Sequence, residues 1–381
     1  MSFPRILYAQ IAREEGHSEE FIAETLAYAE QLEAKNIQVI FSTLHLSMLV
    51  GVKYSLIQKI LNDRKAYYEN YEIKKRKGGT RQISSPHGAL KKIQLWIYEK
   101  ILSTLPLSEN AFGFCPKKSI ADNARVHVGQ DFILNIDLLT FFDSIPEKRV
   151  YGIFKSLGYH TNLAVDLAKL CTCHPNNGFL NISDSEFISV LDTEHIDIFD
   201  DKVEKKIIYI DNKPVLPQGA PTSPSLSNII ACRLDKRLFG YAKKNNLKYS
   251  RYVDDITFSG KGECTIKLSV ISKIIKEEKF EINKTKIRFF GRSSNKRIVT
   301  GLIVSDTIRV PKKFKKEIER HLHFCHKYGV EGHLKYLEAK YNNKKGYFKE
   351  WLRGKICYVN MVEPNEGKKL FSKYNSIDWG I

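Results

Sequence analysis

No apolar run in this 381-residue sequence approaches the roughly 18–20 residues that a helical membrane span requires, so a membrane role is not expected. The opening stretch, MSFPRILYAQIAREEGHSEE, has no apolar core of the signal-peptide kind and turns acidic early, which reads as the absence of a secretory leader. Cysteine is sparse. Seven residues, an odd number at irregular spacing, fit reduced thiols better than a disulfide framework, and a cytoplasmic location follows as the expectation. Internal repeats and low-complexity linkers are also missing.

Acid is in short supply too: 43 Asp and Glu stand against 61 Lys and Arg, for a net charge of +18. The shortage is uneven, because residues 175–213 hold nine acids and four lysines, leaving the remainder more basic than the average. A positive field of this size suits a polyanion, nucleic acid ahead of an anionic membrane surface. What is present in quantity is apolar side chain, 43% of residues, enough for real cores in one large lobed unit or two to three domains.

Periodicity predicts an amphipathic, rather acidic helix over 12–36 and a second helical stretch over 37–63. YEIKKRKGGTRQISSP (71–86) predicts two short strands about a Gly78-Gly79 turn, and Leu90, Ile93, Ile97 and Ile101 mark one face of a helix over 88–105. DFILNIDL (131–138) alternates as a strand. Residues 146–173 read as helical, and 175–213 as an inserted loop or hairpin containing the short strand Ile207–Ile210. Leu226, Ile230, Leu234 and Leu238 define a helix opened by Ser223-Pro224. A hairpin is predicted at 248–259, helix at 266–280, strands at 284–290 and 297–304, and helices at 312–328 and 333–360. Strand–helix alternation with helical ends predicts an α+β fold.

The hairpin contains the sequence's most costly feature, Asp254 beside Asp255 in SRYVDDITFSG. Two carboxylates about 4 Å apart repel by about 4 kcal/mol at an effective dielectric near 20. Aspartate pairs are at home in turns. A third carboxylate, Asp137, closes the strand at 131–138 on the face opposite its apolar stripe. One carboxylate at a strand end and two at a hairpin tip together supply an all-oxygen site for hard divalent cations, and bound metal would offset the repulsion.

At this point the motifs are recognisable. NIDLLTFFDSI (135–145), PQGAPTSPSLSN (217–228) and YVDD (252–255) together resemble the palm motifs of reverse transcriptases, in that family's order. The resemblance runs from about 37 to about 378 and takes in KGGTRQISSP (77–86), the stretch around Asn283-Lys284-Thr285-Lys286, and LRGKICYVNMVEP (352–364). Asn123-Ala124-Arg125-Val126-His127 matches the NAxxH signature of bacterial retron reverse transcriptases, and Val299-Thr300-Gly301 matches their VTG.

The resemblance implies a right-hand polymerase. Residues 1–36 lie outside the resemblance and read as an N-terminal helical extension, and 37–130 would form the fingers. The palm would span 131–290, interrupted by a segment at 146–215, and 291–381 would hold the primer grip and helical thumb. It implies RNA-directed DNA synthesis from dNTPs with two Mg²⁺ ions, or Mn²⁺ in their place, held by Asp137, Asp254, Asp255 and the Leu138 carbonyl. Phe142 would be the steric gate against ribonucleotides, and Gln218 and Gly219 would pack on the incoming nucleotide. Arg81 with Lys74 or Lys77 would hold its triphosphate. Asn123, His127, Val299, Thr300 and Gly301 would recognise RNA. Retron enzymes copy part of a cognate noncoding RNA (msr-msd) into branched msDNA, primed by a guanosine 2′-hydroxyl, and commonly act in antiphage defence with a separate effector. The alternatives are a group II intron-like or abortive-infection reverse transcriptase, or an RNA-binding scaffold for an effector. Asp143 reads as structural. Cys171-Thr172-Cys173-His174 and the group His321, His323, Cys325, His326 and His333 lack the paired spacing of a zinc site, and read as core cysteines and surface histidines.

Overall fold

The computed structural model describes residues 3–75, 79–174, 213–292, 294, 297–341 and 347–379. In chain order its elements are α1 (Arg5–Glu14), α2 (Glu19–Ala34), α3 (Thr43–Val50), α4 (Tyr54–Asn62), β1 (Tyr68–Lys74), β2 (Thr80–Pro86), α5 (Gly88–Lys100), α6 (Ile120–Arg125) and β3 (Phe132–Asp137). There follow α7 (Glu147–Leu157), α8 (Thr161–Cys171), α9 (Ser223–Lys244), β4 (Lys248–Tyr252), β5 (Asp255–Gly260), α10 (Leu268–Glu277) and β6 (Arg288–Phe290). The last are β7 (Ile298–Val299), β8 (Leu302–Val304), β9 (Ile308–Arg309), α11 (Lys312–Tyr341), α12 (Phe348–Val362) and α13 (Pro364–Asn375). The strand at 207–210 and nearly all of the acidic stretch lie outside the described residues.

Two compact units emerge, each assembled from three chain segments. The first comprises Met1–Cys115, Asp137–Leu238 and Lys267–Lys286, and is largely helical around the β1–β2 hairpin. Leu90, Ile93, Ile97 and Ile101 are fully buried along and just beyond α5, as their spacing predicts. The single helix expected over 12–36 is instead the pair α1 and α2, parted after Gly16 and restarted by Ser18, whose hydroxyl accepts from the Phe21 amide at 3.2 Å. Likewise the stretch 37–63 divides at Gly51, which ends α3 in the left-handed conformation. Arg64, nearly buried, ties this unit together. Its guanidinium pairs with Glu147 and donates to Thr172 Oγ1 at 3.0 Å, while the Thr172 hydroxyl donates to Glu147 Oε2 at 2.6 Å. Cys171 and Cys173 are buried, and burial pushes both thiols up to about 12.

The second unit comprises Pro116–Ile136, Phe239–Ile266 and Ile287–Ile381. Its four-stranded sheet has the order β4-β5-β3-β6, with β4–β5 and β3–β6 antiparallel. A second sheet, β7-β8-β9, arises because Thr300-Gly301 turns the chain where one strand over 297–304 was expected. Both residues have positive φ, +45° and +83°, the geometry of a tight two-residue hairpin turn. Val299, Leu302 and Val304 pack with Ile318 and Leu322 of α11, Leu352 and Ile356 of α12, and Leu370 of α13. Within α11 the helical conformation breaks at Gly329 (φ +71°, ψ +163°). This brings His333 back to His321, and their ring nitrogens meet at 2.9 Å. Both rings are buried, so the expectation of surface histidines fails for this pair: Phe348 and Trp351 cover His321 edge-on.

Candidate active site

In the second unit, five rungs pair β4 with β5, ending at Tyr252 opposite Asp255. Val253 and Asp254 therefore form a two-residue turn, with Val253 at φ +59°. A β-branched residue in the left-handed region is strained by on the order of 1–3 kcal/mol, and something must hold it there. Arg251 is one restraint: fully buried, it donates from Nη1 to the Val253 carbonyl at 2.9 Å. The flanking strands are the other, since Ser250, Tyr249, Ile256, Thr257, Phe258 and Ser259 are all buried. Asp255 is exposed and Asp254 half-buried at the tip.

Alongside, the Asp131 amide donates to the Gly260 carbonyl at 2.8 Å, and Thr257 Oγ1 donates to Asn135 Oδ1 at 3.1 Å. These rungs run in opposite order along the two strands, so β3 and β5 are antiparallel. Gly260 permits the approach, because a Cβ there would lie 2.6 Å from the Phe132 ring. The residue closing β3 is Asp137, and the residue opening β5 is Asp255.

The first unit gathers the remaining palm and finger motifs. The Asp137 carbonyl accepts from the Asn283 amide at 2.8 Å, and buried Leu138 bridges to Ile282. Lys286 Nζ stands 3.1 Å from Asp137 Oδ1. Phe142 is half-buried, with its ring edge-on to Phe141 at 5.6 Å. The loop before α9 is strapped on both sides. Leu216 donates to the Ile145 carbonyl at 3.0 Å, and the Gln218 carbonyl accepts from the Ser84 amide of β2 at 2.8 Å. Gly219, at φ +120°, lies so near β2 that a Cβ would sit 2.8 Å from Ile83 Cγ2 and 3.0 Å from the Ser84 carbonyl oxygen. The motif around Phe142, the loop at 217–219 and strand β2 are thus one hydrogen-bonded assembly.

Strand register places Lys74 relative to Arg81. Arg81 pairs with Ile73 and shares a face with Ile83, the residue against Gly219. Lys74 pairs with Thr80 on the other face, with Glu72 and Gln82, which hydrogen-bond each other. Lys74 therefore lies on the face of the ribbon opposite Arg81, and Lys77 lies outside the described residues.

Asn123 and His127 are also placed differently from expectation. Both are 1% exposed. His127 Nδ1 meets Ser259 Oγ at 2.7 Å and Nε2 meets Ser250 Oγ at 2.8 Å, so neither nitrogen is left to read a base. Burial first, and Lys248 second, push its pKa down to about 3, so the ring is neutral. Val299 is fully buried, and Thr300 Oγ1 donates to the Ile120 carbonyl at 3.3 Å. The Val299-Thr300-Gly301 turn is therefore tied to α6, the helix in which the first signature begins, and Gly301 is exposed. Two contributors had only faint sequence signals: Lys286, in a basic stretch, and Arg251, a charge within an apolar strand.

Carboxylate oxygens at a strand end and a hairpin tip are the donor chemistry that Mg²⁺ or Mn²⁺ selects. Among the described residues no three His, Cys, Asp or Glu side chains converge closely enough to hold an ion, and the cation beside Asp137 is the Lys286 ammonium.

The model of the family "Reverse transcriptase (RNA-dependent DNA polymerase)" matches residues 73–324. The retron Ec86 reverse transcriptase of Escherichia coli is 32% identical over 317 residues, 80% of this chain and 84% of that protein. The chain belongs to the retron reverse transcriptases. The retron Mx65 and Mx162 reverse transcriptases of Myxococcus xanthus are 32% and 28% identical over 81% and 83% of this chain. The retron chain described here spans 64% and 62% of the length of those two relatives. As in its family, the fold is that of a right-hand polymerase. No helix among its described residues is long and apolar enough to cross a membrane.

Proposed function

We propose that this chain is an RNA-directed DNA polymerase that copies part of a cognate noncoding RNA, msr-msd, into branched msDNA. Synthesis starts from a guanosine 2′-hydroxyl. The observation that carries the reading is the hairpin tip: Asp254 and Asp255 are presented by buried strands next to β3, which ends in Asp137.

In each addition the primer oxygen forms a bond to the α-phosphorus of a dNTP, the bond from that phosphorus to pyrophosphate breaks, and the hydroxyl proton is lost. Two Mg²⁺ ions, when bound, lower the pKa of the attacking hydroxyl and neutralise the departing pyrophosphate. Asp137, Asp254, Asp255 and the Leu138 carbonyl are the proposed ligands. Lys286 stands against Asp137 Oδ1, so its ammonium would lie beside the incoming phosphate charge. Arg81, on the face of β2 turned to Gly219, binds triphosphate oxygens in its planar fork. Gln218 and Gly219 form the wall against the nucleotide, and the Phe142 ring under the sugar excludes a 2′-hydroxyl.

Fingers at 37–130, palm at 131–290 and thumb from 291 remain the proposed assignment, with 1–36 as an extension. The partners proposed are the noncoding RNA, its DNA product and a separate effector in cytoplasmic antiphage defence. Nucleic acid co-purified from cells expressing the native locus tests the reading. Wild type should yield a covalent RNA–DNA species and Asp254→Asn/Asp255→Asn none. Recovery of no such species from wild type would refute the retron activity.

A further inference from the structure

His127 has no place in the chemistry proposed above, yet its environment is built with care. It follows α6, a short helix opened by a reciprocal cap between Ser119 and Asp122. From there the ring enters the sheet and spans the two strands of the Asp254–Asp255 hairpin, reaching Ser250 on β4 at 2.8 Å and Ser259 on β5 at 2.7 Å. Both serines are completely buried. A neutral imidazole has one donor and one acceptor, so one hydroxyl accepts from the ring and the other donates to it. Both ring nitrogens are thus partnered with no solvent required.

The bridged hairpin is the strained one. Val253 holds φ +59° between strands whose separation and twist set the geometry of a two-residue turn. Relaxing the strands would let Val253 leave the left-handed region and swing both carboxylates. On its other side, α6 is fixed to the second sheet. Ala121 and Ala124 pack in the cluster of Val299 and Leu302, Thr300 Oγ1 donates to the Ile120 carbonyl at 3.3 Å, and the Gly129 amide donates to the Ser305 carbonyl at 2.9 Å. A continuous run of contacts thus joins the Thr300-Gly301 turn, through α6 and the imidazole, to the strands that carry Asp254 and Asp255.

We propose that His127 is a positioning residue for DNA synthesis: its imidazole clamps β4 to β5 through Ser250 and Ser259 and so holds the strained Val253-Asp254 turn in its working geometry. The NAxxH histidine then acts on the reaction through the hairpin and makes no contact with RNA. The inference rests on Asp254 and Asp255 being the catalytic acids.

The test is steady-state synthesis on a DNA-primed RNA template by purified full-length chain, with wild type, His127→Ala, His127→Gln and Ser250→Ala/Ser259→Ala compared. His127→Ala and the double serine variant should lower kcat about 10- to 100-fold, while the KM for dNTP and the Kd for the primed template stay within about twofold. His127→Gln, which keeps a donor and an acceptor, should recover part of the loss. Amide hydrogen exchange should quicken at 252–256 and stay unchanged in α12 and α13. A serine double variant that folds, with kcat within twofold of wild type, would overturn the proposal even if His127→Ala failed to fold. Asp254→Asn in parallel separates the two readings. If it too retains full kcat, the catalytic assignment has failed; if only the clamp variants do, the clamp alone has failed.

Discussion

Two antiparallel ribbons in this chain carry charge to their tips, and they are built in opposite ways. In β4–β5 nearly every strand residue is buried, a histidine and an arginine brace the turn, and the acids sit on a strained two-residue connection. In β1–β2 only Tyr68 and Pro86, at the base, are buried, and every other residue of β1 is exposed, as is Arg81 near the tip. The base is fixed by the Ser84–Gln218 hydrogen bond and the approach of Gly219. Metal ligands must hold positions to within a fraction of an ångström, and a ribbon built into a core suits the role proposed for Asp254 and Asp255. A side chain that gathers a mobile triphosphate gains from reach, and a ribbon left in solvent suits the role proposed for Arg81.

That contrast can be broken at the base of the exposed ribbon, where the largest effect is expected. Gly219→Val forces a side chain into Ile83 and a left-handed backbone together, and should cut DNA synthesis at least about 100-fold, as primer extension would show. At the tip, Arg81→Ala should raise the KM for dNTP about 10- to 100-fold and leave the melting temperature unchanged, because an exposed arginine contributes little to stability. Lys74→Ala, on the opposite face, should change KM by less than about twofold in the same assay, which makes it the control for register. Phe142→Ala should narrow the preference for dNTP over rNTP about tenfold or more, measured as the ratio of kcat/KM values.

The smallest effect sharpens the buried side of the comparison. His127 is neutral when folded, with its pKa pushed down to about 3 from an ordinary 6.5, by burial and by Lys248. Between those two pH values the unfolded chain takes up a proton that the folded chain refuses, so stability falls as pH falls through that window. The His127 contribution approaches about 1.4 kcal/mol per pH unit. Denaturant midpoints from pH 7 to 4 should therefore fall less steeply for His127→Gln than for wild type.

Much of this was legible in the residues. Alternation and turn chemistry located both ribbons, and three- and four-residue spacing located α5 and α9, whose predicted faces are buried. The motifs carrying Asp137, Gln218 and Asp254 stand on the elements expected of them. Breaks were missed where one glycine or a short connector did the work, at Gly16 and Gly51 between helices and at Thr300-Gly301 between strands, because apolar patterning continues across such turns. Side-chain direction was the harder limit. A lysine at 74 and one at 77 look alike in a basic run, and only the pairing of Lys74 with Thr80 separates Lys74 from Arg81. A histidine in a family signature reads as a ligand for RNA until two buried serines, more than 120 residues away in sequence, are seen to occupy both its nitrogens.

The central claim is that the braced tip, Asp254 with Asp255, carries metal-dependent DNA synthesis. Its most direct test is the single-turnover rate of dNTP addition to a DNA-primed RNA template in Mg²⁺, wild type against Asp254→Asn. Asp254→Asn should be slower by at least about 1000-fold with primed-template affinity unchanged. A variant that adds nucleotide within about tenfold of the wild-type rate would contradict it.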